Sequence, residues 1–320
     1  MTRREREPSG DLTGAGLVIL AAACFGTLGP LSRFAGDAGV DSLTIVTWRA
    51  GLGAAVMTVF LVLRMLLAGT RPVSLRSLPV RDRWFMFAAA IANTLLNLAA
   101  FIAFERITIA LTLLVFYLYP AGVALASTLW FGERLDRLRW TALGVSLVGM
   151  ALVVAGAGEL GAIDELGIGL AFVAALMQGF FVLAARHGFA RVPGPQAAAM
   201  TMGGAFTLYL LIAAPVGLLA SLGQPLASSE ALIPVVLAGV IGAGIPTVSF
   251  IVGIRRLGPS RAAILATLEP VIGVGLAALL LAEQPTAIQL IGGAFILVAA
   301  VLLQLRPRGP VADHEAVSGP

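Results

Sequence analysis

Long apolar runs recur along the chain from residue 14 to residue 305, separated by short polar or glycine- and proline-bearing segments. Each run is close to the ~20 residues that cross a ~30 Å hydrocarbon core as a helix. The spacing predicts ten spans, at 14–34, 43–66, 84–104, 109–131, 139–157, 166–186, 197–220, 232–253, 262–282 and 286–305. Helices are the fitting element, because lipid offers backbone groups no partners. A β-barrel would instead show apolar and polar residues alternating within ~10-residue segments, and these runs do not alternate. Only the connection at 67–83 is long, so no soluble domain is expected. Segment 1–13 is an N-terminal extension, and the polar tail 306–320 reads as disordered.

Composition agrees with this pattern. Hydrophobic residues make up 59% of the 320, charged residues 12%, and mean hydropathy is +0.97. A soluble domain carries roughly 25% charged residues. The net charge of +4 does not indicate nucleic acid. All 21 basic residues are arginine, and most sit between the apolar runs. Eighteen fall on one side of the predicted topology: Arg3, Arg4, Arg6, Arg64, Arg71, Arg76, Arg81, Arg83, Arg134, Arg137, Arg139, Arg186, Arg191, Arg255, Arg256, Arg261, Arg306 and Arg308. Arg33 and Arg106 fall on the other side, and Arg49 lies within span two. The positive-inside rule then puts both termini in the cytoplasm of a cell whose inner (plasma) membrane holds the chain. The outer loop 158–165 carries Glu159, Asp164 and Glu165 and no arginine, which agrees. Arg3, Arg4 and Arg6 ahead of an apolar run ending at Cys24 resemble a cleavable leader. The run continues past the cysteine, so an uncleaved first span is expected.

The chain resembles itself. Residues 104–133 align with 254–283, pairing Arg106 with Arg256, Pro120 with Pro270 and Glu133 with Glu283. Residues 14–33 align with 167–186, pairing Gly14, Gly16, Gly26 and Arg33 with Gly167, Gly169, Gly179 and Arg186. Two five-span repeats follow, 14–157 and 166–305. Five is odd, so the second repeat crosses the membrane in the opposite sense. In transporters, inverted repeats hold substrate near the midplane and exchange conformations to give alternating access.

These residues also resemble a known family. The blocks Tyr119-Pro120 with Gly132-Glu133, and Glu269-Pro270 with Ala282-Glu283, are similar to the paired motifs of the EamA group of the drug/metabolite transporter superfamily. Gln289-x2-Gly292 and Trp48-Arg49 fit the same pattern. Ala282 stands where that group usually has glycine, and Arg139-x2-Ala142 where Gln-x2-Gly is usual. The resemblance covers residues 14–305. It implies a transporter, often an exporter of amino acids, other metabolites or toxic compounds.

Polar residues inside the spans are the candidate site, because charge near the bilayer centre costs ~2.5–3.5 kcal/mol on insertion scales. Glu269 lies about eight residues into span nine, ~12 Å deep at 1.5 Å per residue. It can bind a cationic group or carry a coupling proton, or it can be a structural partner of another helix. Arg49 can contact a substrate carboxylate, pair with Glu269 or snorkel outward. Asn93 and Asn97 share one face of span three. Tyr117, Tyr119, Gln178 and Thr247 are weaker substrate-binding candidates, as is Tyr209. Pro120, Pro215, Pro246 and Pro270 fall inside spans, and the repeat mates Pro120 and Pro270 are candidate hinges. Gly122-x3-Ala126 and Gly273-x3-Ala277 are candidate close-packing stripes. His187 reads as a solvated loop residue, and His314 lies in the tail. No phosphate loop, HExxH, GxSxG or cysteine cluster is present, so neither an enzyme, a cofactor nor a metal is expected. The partners expected are a small-molecule substrate, the lipid bilayer and protons as candidate coupling ion, with no nucleic acid. The leading reading is a secondary active transporter, with an exporter favoured. A facilitative exchanger or channel-like permease without proton coupling, and a membrane scaffold, are the alternatives.

Overall fold

A computed structural model describes residues 12–69, 71–133, 135–156, 164–215, 217, 219–280 and 284–303. Arg3, Arg4, Arg6, Arg134, Glu159, Ala282, Glu283, Arg306, Arg308, His314 and the tail 306–320 lie outside the described residues. Among the described residues there is no strand.

Among the described residues, nine helical stretches are long and apolar enough to cross a membrane by length and composition. They are α1 with α2 (Leu12–Gly26, Leu28–Asp37), α3 (Ser42–Ala68), α4 (Val80–Arg106), α5 with α6 (Ile109–Phe116, Tyr119–Phe131), α7 (Arg137–Ala155), α8 (Glu165–His187), α9 (Gly194–Ala213), α10 with α11 (Ser229–Gly239, Ile245–Leu257) and α12 with α13 (Pro259–Ala266, Leu268–Leu280). The tenth apolar helix, α14 (Ala287–Leu302), has 16 residues. It starts at a capping box in which Thr286 and Gln289 satisfy each other's backbone N–H groups.

Several predicted spans are interrupted, and proline explains where. Proline lacks an N–H, and its ring clashes with the carbonyl four residues earlier. Helix α1 ends at Gly26, four before Pro30; α5 ends at Phe116, four before Pro120; α12 ends at Ala266, four before Pro270. At two of these breaks a threonine hydroxyl donates to the carbonyl three residues earlier, Thr27 to Cys24 at 2.7 Å and Thr267 to Ile264 at 2.6 Å, beside the threonine's own N–H. Pro246 follows a π-helical turn at Val240–Gly244. Pro215 does not lie inside a helix as expected. Span seven stops at Ala213, and a 3-10 segment, Ala220–Ala227, folds back over the end of α3. There the Trp48 indole donates to the Leu222 carbonyl at 2.8 Å, and the Asp41 N–H donates to Gln224 Oε1 at 2.9 Å.

The most extensive packing joins α7 to α14, α4 to α8, α3 to α9 and α1 to α11, with α6 on α12. In span numbers these are 5 with 10, 3 with 6, 2 with 7, 1 with 8 and 4 with 9. Exchanging each span for the one five places away leaves this set unchanged, which is the pattern two units related by a two-fold axis would produce. The expected small-residue stripe at Gly122 is not a contact, since a Cβ there would meet nothing within 4 Å. The close approach is between α7 and α14 instead. A Cβ on Gly149 would stand 2.7 Å from the Gly292 carbonyl oxygen, and one on Gly292 would stand 2.5 Å from that of Gly149.

Candidate functional site

The proline breaks of spans one, four and nine meet in the interior. Gly26 closes α1 directly against the start of α13, where an added Cβ would lie 3.0 Å from the Glu269 carbonyl oxygen and 3.1 Å from the Gly273 nitrogen. The Tyr117 side chain, in the break of span four, hydrogen-bonds Glu269, in the first turn of α13. Tyr119, at the first position of α6, pairs with Gln178 on α8. Phe116, Tyr117 and Tyr119 pack ring to ring, with centroids 5.2–6.2 Å apart. Both tyrosines are buried, whereas Glu269 remains partly accessible.

A second polar group faces this one. Arg49 on α3 donates from Nη1 to Asn97 Oδ1 on α4 at 2.8 Å. Asn97 Nδ2 donates in turn to the Asn93 carbonyl at 2.7 Å. Arg49 lies within electrostatic reach of Glu269 and of Tyr209, whose hydroxyl donates to the Thr94 carbonyl at 3.2 Å. Arg49 and Glu269 form no ion pair among the described residues. The site therefore holds a cation and an anion apart rather than neutralising them on each other.

Of the residues expected from sequence, Glu269, Tyr117, Tyr119, Gln178, Arg49, Asn93 and Asn97 form these two facing groups. Thr247 is buried on α11, with no hydrogen bond joining it to them among the described residues. A groove of about 340 Å³ on the outside of α3 and α9, lined by Trp48, Leu52, Phe206 and Leu210, contains none of them. Sequence reasoning overlooked the Gly26 break, although Pro30 inside an apolar run signals it.

Spans four and nine are packed differently along their length. Every residue of α12 is buried. No described residue of α13 beyond Pro270 is buried. Helix α6 packs on α12, and no comparable packing joins α5 to α13 among the described residues. At the arginine-rich end the pair is tied by Glu133, whose Oε2 accepts from Ser260 at 2.9 Å and whose Oε1 lies 3.8 Å from Arg139. His187 is not a solvated loop residue but is half-buried at the end of α8. It stacks on Phe131 at 3.9 Å between centroids. Arg255 there donates to the carbonyl of Ala185, in the last turn of α8, and to those of Phe189 and Val192 just beyond it.

The model of the EamA-like transporter family matches residues 12–155 and 165–305. A solved structure titled "Crystal structure of protein" is similar over 91% of this chain and 96% of that one, at 22% identity and a TM-score of 0.75, a likeness of fold. None of the curated proteins matches.

Proposed function

The chain belongs to the EamA-like transporter family, a multi-pass membrane transporter family, and from that premise we propose that it is a secondary transporter of a small zwitterion, of the amino-acid class, working by alternating access. The observation that carries the substrate class is the separation of Arg49 from Glu269. A guanidinium and a carboxyl group within electrostatic reach of each other, and not paired, match the carboxylate and ammonium of one ligand. The helix starts of α6 and α13 at the crossing are the discontinuous-helix arrangement that transporters use near the midplane. The span pairing supports two inverted five-span repeats, with both termini on the arginine-rich, cytoplasmic side. Spans four and nine, closed at that end and unpacked at the other, support a state open away from the arginine-rich face. Export from the cell across the inner membrane is the direction favoured. Glu269 is the residue positioned to exchange a ligand ammonium for a coupling proton, with Pro120 and Pro270 as hinges.

The test is counterflow in proteoliposomes with labelled amino acids, the matching amines and the matching carboxylic acids. Zwitterions are expected to exchange, the single-charge analogues weakly. Flux that ignores one of the two charges, or normal flux in a well-inserted Glu269→Gln variant, sinks the reading. Dependence on an imposed pH gradient separates proton coupling from facilitated exchange. A ligand at 100 times its dissociation constant should also stabilise the purified protein by about 2.7 kcal/mol.

A further inference from the structure

We infer that Asn97 does not contact the ligand but positions Arg49, leaving the Nε–Nη2 edge of its guanidinium for side-on capture of a ligand carboxylate. This rests on the reading of Arg49 as the carboxylate contact. Arg49 and Asn97 stand on α3 and α4, which pack far less on each other than each does on α9. The bond from Arg49 Nη1 to Asn97 Oδ1, 2.8 Å, reaches between these two helices. The amide itself cannot turn over. Its nitrogen only donates and its oxygen only accepts, and the nitrogen is bound at 2.7 Å to the Asn93 carbonyl, which only accepts. A flip would set donor against donor at Arg49 and acceptor against acceptor at Asn93. Nδ2 also lies 3.5 Å from Asn93 Oδ1, so Asn93 holds the amide from one side and the amide oxygen is aimed at Arg49.

The same bond decides which part of Arg49 is free. A guanidinium offers five N–H groups in a rigid plane. Nη1 is committed to Asn97. Nε is buried and has no partner, and no protein acceptor meets Nη2 among the described residues. Tyr209, the nearby hydroxyl, gives its proton to Thr94. Among the unused donors, Nε–H and one Nη2 N–H share one edge, as a parallel pair whose spacing matches two carboxylate oxygens. Lysine carries the charge but has no such edge.

The experiment uses the purified full chain. Its thermal stability is titrated with the twenty amino acids and their carboxamides, and dissociation constants are taken for the amino acid that stabilises it most. Asn97→Leu should weaken that amino acid about tenfold or more, while its carboxamide changes less than about twofold. Asn97→Ser, a smaller change, should give the same split should the leucine variant fold poorly. Arg49→Lys should lose as much as Asn97→Leu, and the double variant should lose no more than Arg49→Lys alone, because Asn97 acts through Arg49. Additive losses, or equal losses for amino acid and carboxamide, overturn the inference and leave the function reading standing. Unchanged affinity in Arg49→Lys, or no amino acid that stabilises the wild type, overturns both.

Discussion

The two ends of the span four and span nine pair differ more than their sequence likeness suggests. At the arginine-rich end, α6 and α12 are packed together and tied by Glu133 and Ser260. At the other end, no comparable packing joins α5 to α13, and α13 beyond Pro270 contributes no buried residue among those described. The repeat carries a reason for this. The residue 150 positions before Ser260 is Ala110, so the hydroxyl that ties one end has no counterpart at the other. Two similar half-chains can therefore hold unequal ends, and the inequality gives the crossing a direction. It teaches that two repeats of one fold can pack unequally at their two ends.

The largest effect is expected at the crossing itself. Glu269→Gln should reduce flux on the order of a hundredfold, as when a charged partner is withdrawn from a desolvated site. Glu133→Gln should reduce flux only a few-fold, measured in the same vesicles. Equal losses would erase the distinction between site and tie. Next is the backbone contact that seats α13. Gly26→Val should cost about 2–3 kcal/mol by overpacking, whereas Gly122→Val, with open space around it, should stay within about 0.5 kcal/mol. Melting of the two purified variants checks this, and equal melting points would place α13 elsewhere. Third is the tie. Ser260→Ala removes one hydrogen bond to a carboxylate, worth about 1.5 kcal/mol. Faster amide exchange in 131–133 and 257–261, with no change at 268–276, is expected; unchanged exchange at the arginine-rich end would show that Ser260 does not hold it.

The smallest effect belongs to the exposed pair at the opposite end, where Arg106 and Asp164 meet at 2.8 Å. The Arg106 hydrogen bond holds the Asp164 carboxyl below its ordinary range, aided by the Leu166 N–H. A lowered value means the contribution is present above the ordinary carboxylate range and fades as pH falls through it. Asp164→Asn should melt slightly lower than wild type at neutral pH, and the two should converge in acid. A surface pair is worth little, so a large neutral-pH difference would mean that this end is held as firmly as the other.

Much of the fold was legible because lipid makes hydropathy informative. Apolar length predicted the helices, and the charges inside them flagged Glu269 and Arg49. The misreadings have local causes. Residues 214–220 are apolar, so hydropathy extended span seven through Pro215, although proline and glycine end the helix there. Gly122 looked like a contact because small residues permit close packing, but permission does not select a neighbour. Gly149 and Gly292 were chosen by the α7–α14 approach, which no local pattern encodes.

The sequence by itself determined a helical membrane protein of two related halves, its family, and Pro120 and Pro270 as matched interruptions, since a missing N–H and a ring clash act within four residues. Only the tertiary structure decided which breaks meet, that Tyr117 rather than Arg49 partners Glu269, that Asn97 is committed to Arg49, and which end of the crossing is packed. These depend on side chains distant along the chain arriving at one place, and hydropathy, which records only how each residue partitions between water and lipid, carries no information about that arrival.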